Sequence, residues 1–181
     1  AGHETTSHTL SWCWWLLSQH PKAALRVQEE ADGVIEPMSA ATPLPYTQAV
    51  IAESMRLFPP AYAIPRVAER DTTLGPWAVK AGTQVVLWVW HLHRHDQNFH
   101  DPEQFRPERF LSTSNPAAYH PFGAGTRMCI GASFARLELR LLIAALSKHW
   151  HLSATPGHTA IPAPGVTLAP RGGMPMRVTS R

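Results

Sequence analysis

Lysine is scarce in this 181-residue chain, cysteine is scarcer, and long apolar runs are missing. Two cysteines, Cys13 and Cys129, are too few for a disulfide scaffold. Three lysines stand beside thirteen arginines, for a net charge of +3. The basic excess is spread along the chain with no RNA or DNA motif beside it, so nucleic acid is not an expected partner. Arginine's planar, permanently charged fork suits buried carboxylates and anionic cofactor groups better than lysine does. The 17 uncharged residues from Thr5 to Pro21 approach membrane-spanning length, but only Leu10 to Leu17 is strongly apolar. That is too short to cross a bilayer, and no membrane segment is expected in this chain.

What is present is 44% hydrophobic and 16% charged residues, enough for one sizeable core and too apolar for a disordered chain. AGHETTSHT runs straight into LSWCWWLL with no initiator Met and no clear cap, so the chain is expected to be a fragment cut inside a helix. Periodicity and proline stops predict helices over 1–19, 22–35, 46–58 and 132–148. PMSAATPLP reads as a turn-rich link. Short β-type runs with turns at Gly75-Pro76 and Lys80-Ala81-Gly82 predict a small antiparallel hairpin or sheet over 61–90. Further strand candidates are Val166-Thr167-Leu168 and Met176-Arg177-Val178. The fold class expected is mainly α with small antiparallel β-sheets. In the last helix Phe134, Leu137, Leu141 and Ala145 form the expected core stripe. Trp12, Trp14, Trp15, Trp88 and Trp90 read as core aromatics, and Cys13 as a small buried side chain.

The stretch 96–131 is rich in proline and glycine and almost without periodicity, and a compact domain rarely keeps such a stretch unless it serves a site. Within it, Phe122-Gly123-Ala124-Gly125-Thr126-Arg127-Met128-Cys129-Ile130-Gly131 places one thiol at the mouth of the last helix. The glycines permit backbone conformations closed to other residues and leave room for a flat ligand. A helix N-terminus suits a thiolate, which can ligate a metal or attack a substrate. A nucleophile needs a general base, and no local signature of one is visible. A single thiolate holding iron in a porphyrin needs no second protein ligand. The histidines of WHLHRH (His91, His93, His95) could bind zinc, but no cysteine or carboxylate completes a set at usual spacing, so a structural role is expected.

FGAGTRMCIG resembles the haem-ligand loop of the cytochrome P450 monooxygenases at each defining position. Three further motifs follow the family's order: AGHETT at 1–6 is similar to the oxygen-activation segment, Glu53-Ser54-Met55-Arg56 to the Glu-x-x-Arg helix motif, and Pro107-Glu108-Arg109-Phe110 to the segment that completes an ion-pair triad. The resemblance covers nearly all of this chain but only the C-terminal half of the family's domain, the haem-binding part here being 1–181 and the N-terminal half being expected to be absent.

The resemblance implies Cys129 as the axial ligand of haem b (iron protoporphyrin IX), with Phe122 packed beside the ring and Gly123 and Gly131 shaping the loop. It implies Arg66 and Arg127 as partners of the haem propionates. Glu4 and Thr5 correspond to the acid and alcohol that deliver protons during oxygen activation, with Ala1-Gly2 leaving space for dioxygen. Glu53, Arg56 and Arg109 correspond to the structural triad. The activity implied is insertion of one atom of O2 into a small organic, apolar substrate, with electrons from NAD(P)H through a reductase or a ferredoxin. The partner would dock behind the cysteine, where Arg106, Arg136 and Arg140 could meet an acidic surface. A peroxide-driven hydroxylase is a sibling reading, against which the Glu4-Thr5 pair counts. A truncated product that binds haem weakly or not at all is the rival from another class. The implied location is a bacterial-type cytoplasm.

Overall fold

The computed structural model describes residues 2–34, 39, 42–112 and 116–181. Ala1, Ile35 and part of the PMSAATPLP link lie outside the described residues. Four helices carry the core: α1 (Glu4–Gln19), α2 (Pro21–Asp32), α3 (Pro45–Leu57) and, after the one-turn α4 (Val89–Leu92), α5 (Ala132–His149). Proline sets several boundaries. Pro21 and Pro45 sit in the first turns of α2 and α3, where a missing N–H costs nothing. Phe58-Pro59 stops α3. No side chain caps the start of α1.

The helix α3 is the central element, because nearly every side of it is buried, Glu53 and Arg56 included. Val50, Ile51 and Met55 from it join Cys13 and Leu17 of α1, Val27 of α2 and Leu139 and Ile143 of α5 in one core. Burial holds the Cys13 thiol up at about 12, so it stays protonated and inert.

Among the described residues, four two-stranded antiparallel ladders accompany the helices. β1 (Ile64–Val67) pairs with β4 (Gln84–Leu87), enclosing the hairpin of β2 (Thr72–Leu74) and β3 (Trp77–Val79). β5 (Trp150–Ala154) pairs with β8 (Met176–Ser180), enclosing β6 (Pro162–Pro164) and β7 (Leu168–Pro170). The tail strand is therefore offset from its expected position: Leu168 opens β7, while Val166 is exposed at the turn.

Two expectations about burial need correction. The core face of α5 is Leu139 and Ile143 with Ala132, Ala144 and Ser147, whereas Phe134 is 67% exposed. This helix carries apolar residues on several faces, so periodicity alone cannot choose among them, and α2 and α3 make the choice. Trp88 is also exposed rather than in the core, while Trp12 is fully buried and Trp14, Trp15 and Trp90 are half-buried.

Candidate haem-thiolate site

The loop before α5 is built by backbone hydrogen bonds that only glycines allow at two points. Gly123 and Gly125 lie at φ 72° and 69°, in the left-handed region. The chain consequently doubles back, and the Cys129 N–H donates to the Phe122 carbonyl at 2.9 Å. Gly131 faces the sulfur: a Cβ there would stand 3.9 Å from Cys129 Sγ. Cys129 is exposed, as are its chain neighbours Met128 and Ile130 and, in the first turn of α5, Phe134. Phe122 packs against the helical core and carries the Arg136 guanidinium over its ring, 4.5 Å from the centroid.

Arg127 is exposed in the short 3-10 turn Gly125–Arg127. Arg66 is exposed on β1. Ile64 Cδ1 lies 3.6 Å from where a Gly123 Cβ would be, and Arg66, two residues along the strand, shares the face of Ile64. Strand alternation thus directs Arg66 toward the side on which the cysteine loop lies.

Behind the loop is a polar network that the helix α3 anchors. Glu53 and Arg56, fully buried, form a two-pronged pair: Arg56 Nε donates to Glu53 Oε2 at 2.7 Å and Nη2 to Oε1 at 2.9 Å. Arg109 Nε donates to Glu53 Oε1 at 3.0 Å, and the Arg106 N–H to the same oxygen at 2.8 Å. The remaining donors of Arg56 go to the carbonyls of His93, Pro102 and Gln104, and those of Arg109 to His100, Asp101 and Gln104. Five backbone carbonyls of the 93–104 segment, that of Gln104 shared, are thereby held by two guanidinium groups.

His93 extends this network to the cysteine loop, a link not visible in the sequence. The His120 N–H donates to His93 Nε2 at 2.9 Å. The hydrogen of the imidazole is then on Nδ1, 3.3 Å from the Arg56 carbonyl, which accepts it. Burial, the largest cause, pushes the His93 pKa down to about 4, so the ring is neutral in this role. His120 lies two residues before Phe122, whose carbonyl receives the Cys129 N–H. His91 and His95 sit nearby as a ring pair, 5.4 Å between centroids.

Glu4 is exposed in the first turn of α1 and Thr5 is half-buried beside it. Thr9 Oγ1 donates to the Thr5 carbonyl at 2.8 Å. Glu4 Oε1 accepts from Thr167 Oγ1 at 2.9 Å, and Thr167 also meets His8. These contacts join residues more than 150 positions apart, so only the spacing of Glu4 and His8 could have been read in the sequence. A cleft of about 560 Å³ lies between α3 and α5 and is lined by Gln48, Met55, Tyr119, Arg136 and Arg140. Arg106 is engaged by Asp101 at 2.7 Å.

The residues around Cys129 suit haem. Among the described residues no group of three His, Cys, Asp or Glu could hold a metal ion. The site instead offers one exposed sulfur, a loop kept open by glycine, apolar neighbours for a flat ring and two exposed arginines for its carboxylates.

Comparison with known proteins places this helix-rich chain. The family model for cytochrome P450 matches residues 1–174. The chain belongs to the cytochrome P450 family. It is 40% identical over 167 residues to cyclooctat-9-en-7-ol 5-monooxygenase of Streptomyces melanosporofaciens, across 88% of this chain and 36% of that protein. It is 36% identical to putative cytochrome P450 132 of Mycobacterium bovis, across 96% of this chain and 39% of that protein. A crystallised cytochrome P450, CYP102L1, superposes with a TM-score of 0.87 at 31% identity, over 98% of this chain and 42% of the other. The chain therefore has the cytochrome P450 fold and spans well under half the length of these relatives. Among the described residues no helix is long and apolar enough to cross a membrane.

Proposed function

We propose that this chain is the C-terminal, haem-ligating part of a monooxygenase domain, with Cys129 as the axial thiolate. The observation that carries this is the exposed Cys129 on a glycine-shaped loop, with Met128 and Ile130 exposed on either side of it in the chain and Phe134 exposed in the first turn of α5. Arg66 and Arg127 would hold the propionates of haem b, and Phe122 would pack beside the ring. When bound, haem supplies the redox centre at which one atom of O2 is transferred to an organic substrate and the other leaves as water. Glu4 and Thr5 hold and hand on the protons that this chemistry consumes. Glu53, Arg56 and Arg109 keep the cysteine loop in place and take no part in the reaction. The electron source proposed is NAD(P)H, through a reductase or ferredoxin docking near Arg136 and Arg140. The substrate class is small and apolar. The bacterial relatives support a cytoplasmic enzyme.

The reduced, carbon monoxide-treated protein made with haem should give the difference spectrum of a thiolate-ligated iron. Cys129→Ala should abolish it, and a spectrum that survives this change refutes the ligand assignment. A second reading, that this chain alone has no activity, is favoured by its spanning only 36% to 42% of these relatives. Substrate turnover with a redox partner by the haem-loaded chain decides between the two.

A further inference from the structure

Three polar side chains meet where the β6–β7 turn touches α1. Thr167 Oγ1 lies 2.9 Å from Glu4 Oε1 and 3.1 Å from His8 Nδ1. Both sides of the contact are braced. Glu4 and His8 are one helical turn apart on the same face of α1. Thr167 is fixed through its neighbour Leu168, whose carbonyl accepts from Trp12 Nε1 at 3.2 Å and whose N–H donates to the Pro60 carbonyl at 3.0 Å. Tyr62 O–H donates to the Gly165 carbonyl at 2.8 Å and holds the other side of the turn.

The direction of each hydrogen bond follows from counting hydrogens. An ionised carboxylate only accepts, so the single hydroxyl hydrogen of Thr167 goes to Glu4 Oε1. What Thr167 can offer His8 is then a lone pair, so His8 Nδ1 must carry a hydrogen and donate it. The three groups form a continuous donor chain, from His8 Nδ1–H through Thr167 Oγ1–H to Glu4 Oε1.

We propose that this chain is a proton wire that recharges Glu4 from His8. The idea rests on the reading of Glu4 as the acid of the proton-delivery pair. A carboxyl group that gives away its proton must regain one before it can act again. Imidazole is the side chain that exchanges protons with water most readily near neutral pH, and the His8 ring is partly exposed. Water protonates His8 at Nε2. The Nδ1 proton then moves to Thr167 Oγ1 while the hydroxyl's own proton moves to Glu4 Oε1. Glu4 ends as a carboxylic acid and His8 as a neutral ring bearing its hydrogen on Nε2. One proton has passed from water to Glu4, and no other bond has changed. Return of the hydroxyl to its first orientation and exchange of the imidazole hydrogens with water reset the wire.

Two-bond proton–nitrogen correlation spectra of the labelled chain report which ring nitrogen of His8 is protonated. The neutral ring should carry its hydrogen on Nδ1 in the wild type and in Thr167→Ser, and shift toward Nε2 in Thr167→Val. A wild-type ring protonated on Nε2 overturns the wire. In the haem-loaded protein, product formed per reductant consumed should fall in T167V and H8Q to the value of Glu4→Gln, and should stay at the wild-type value in T167S. If E4Q is itself as well coupled as the wild type, the underlying reading of Glu4 fails. If E4Q uncouples while T167V and H8Q do not, Glu4 stands and the wire fails.

Discussion

Arg56 donates five hydrogen bonds from one fully buried side chain: two to Glu53 and three to backbone carbonyls. Lysine carries one charged nitrogen and three donors, so it cannot serve both the carboxylate and the carbonyls of His93, Pro102 and Gln104. Arg56→Lys should therefore cost about 3–5 kcal/mol in urea unfolding, the range for breaking a buried pair. Arg109 is partly reached by water, and Arg109→Lys should cost less. Equal losses would show that the two guanidinium groups are interchangeable. The pairing of Glu53 with Arg56 was legible because their spacing puts both on one helix face. The five-acceptor role was not legible, because the carbonyls come from a segment without periodicity.

His93 gives the network a defined response to pH. Its pKa in the fold is about 4, below the ordinary 6.5, so the unfolded chain binds the proton first as pH falls. The stabilisation is complete above about pH 6.5, drains away between 6.5 and about 4, and is gone below that window. A shift of this size corresponds to roughly 3 kcal/mol. Unfolding free energies measured across the window should show a slope that His93→Gln removes. A variant with the wild-type slope would mean that His93 is not held neutral by the fold. The WHLHRH pattern allowed a structural role to be chosen over a metal site, but which histidine enters the core is a tertiary fact.

Among the elements, α5 shows where pattern reading stops. Its length, its start after Gly131 and its position behind the cysteine were all legible, from the glycines before it and the apolar density within it. Its inward face was not, since Phe134, Leu137 and Leu141 looked as apolar as Leu139 and Ile143. The structure buries Ile143 completely and leaves Phe134 largely exposed. Ile143→Ala should accordingly cost about 2–5 kcal/mol, through lost burial and a cavity among α2, α3 and α5. Phe134→Ala should change the unfolding free energy of the haem-free chain by about 0.5 kcal/mol or less. A large loss for Phe134→Ala would restore the expected stripe. Haem titration adds contrast: if the exposed Phe134 serves the proposed haem face, the same substitution should weaken haem uptake.

The molecule as a whole exposes 10762 Å² for a mass of 20.1 kDa. A compact monomer of that mass exposes about 8,700 Å², which leaves an excess of about 2,000 Å². Much of the surface is apolar in two places: Met128, Ile130 and Phe134 at the cysteine loop, and Val67, Val86, Leu87 and Trp88 on and beside the β1–β4 ladder. Surfaces of this kind mark faces that something else covers. The motifs around Cys129 pointed to the face proposed to take haem, whereas the β1–β4 face was not legible, because alternating valines and tryptophan read equally well as a sheet interior. If a larger domain covers both faces, the isolated chain should bind a hydrophobic fluorescent dye strongly and associate with itself. Haem should then quench only part of the dye signal, since one porphyrin is far smaller than the excess of about 2,000 Å². Cys129→Ala should raise the haem concentration needed for that partial quench and leave the remainder unchanged. A complete quench by haem alone would mean that the chain needs no further covering, and that the face at β1–β4 is an ordinary solvent surface.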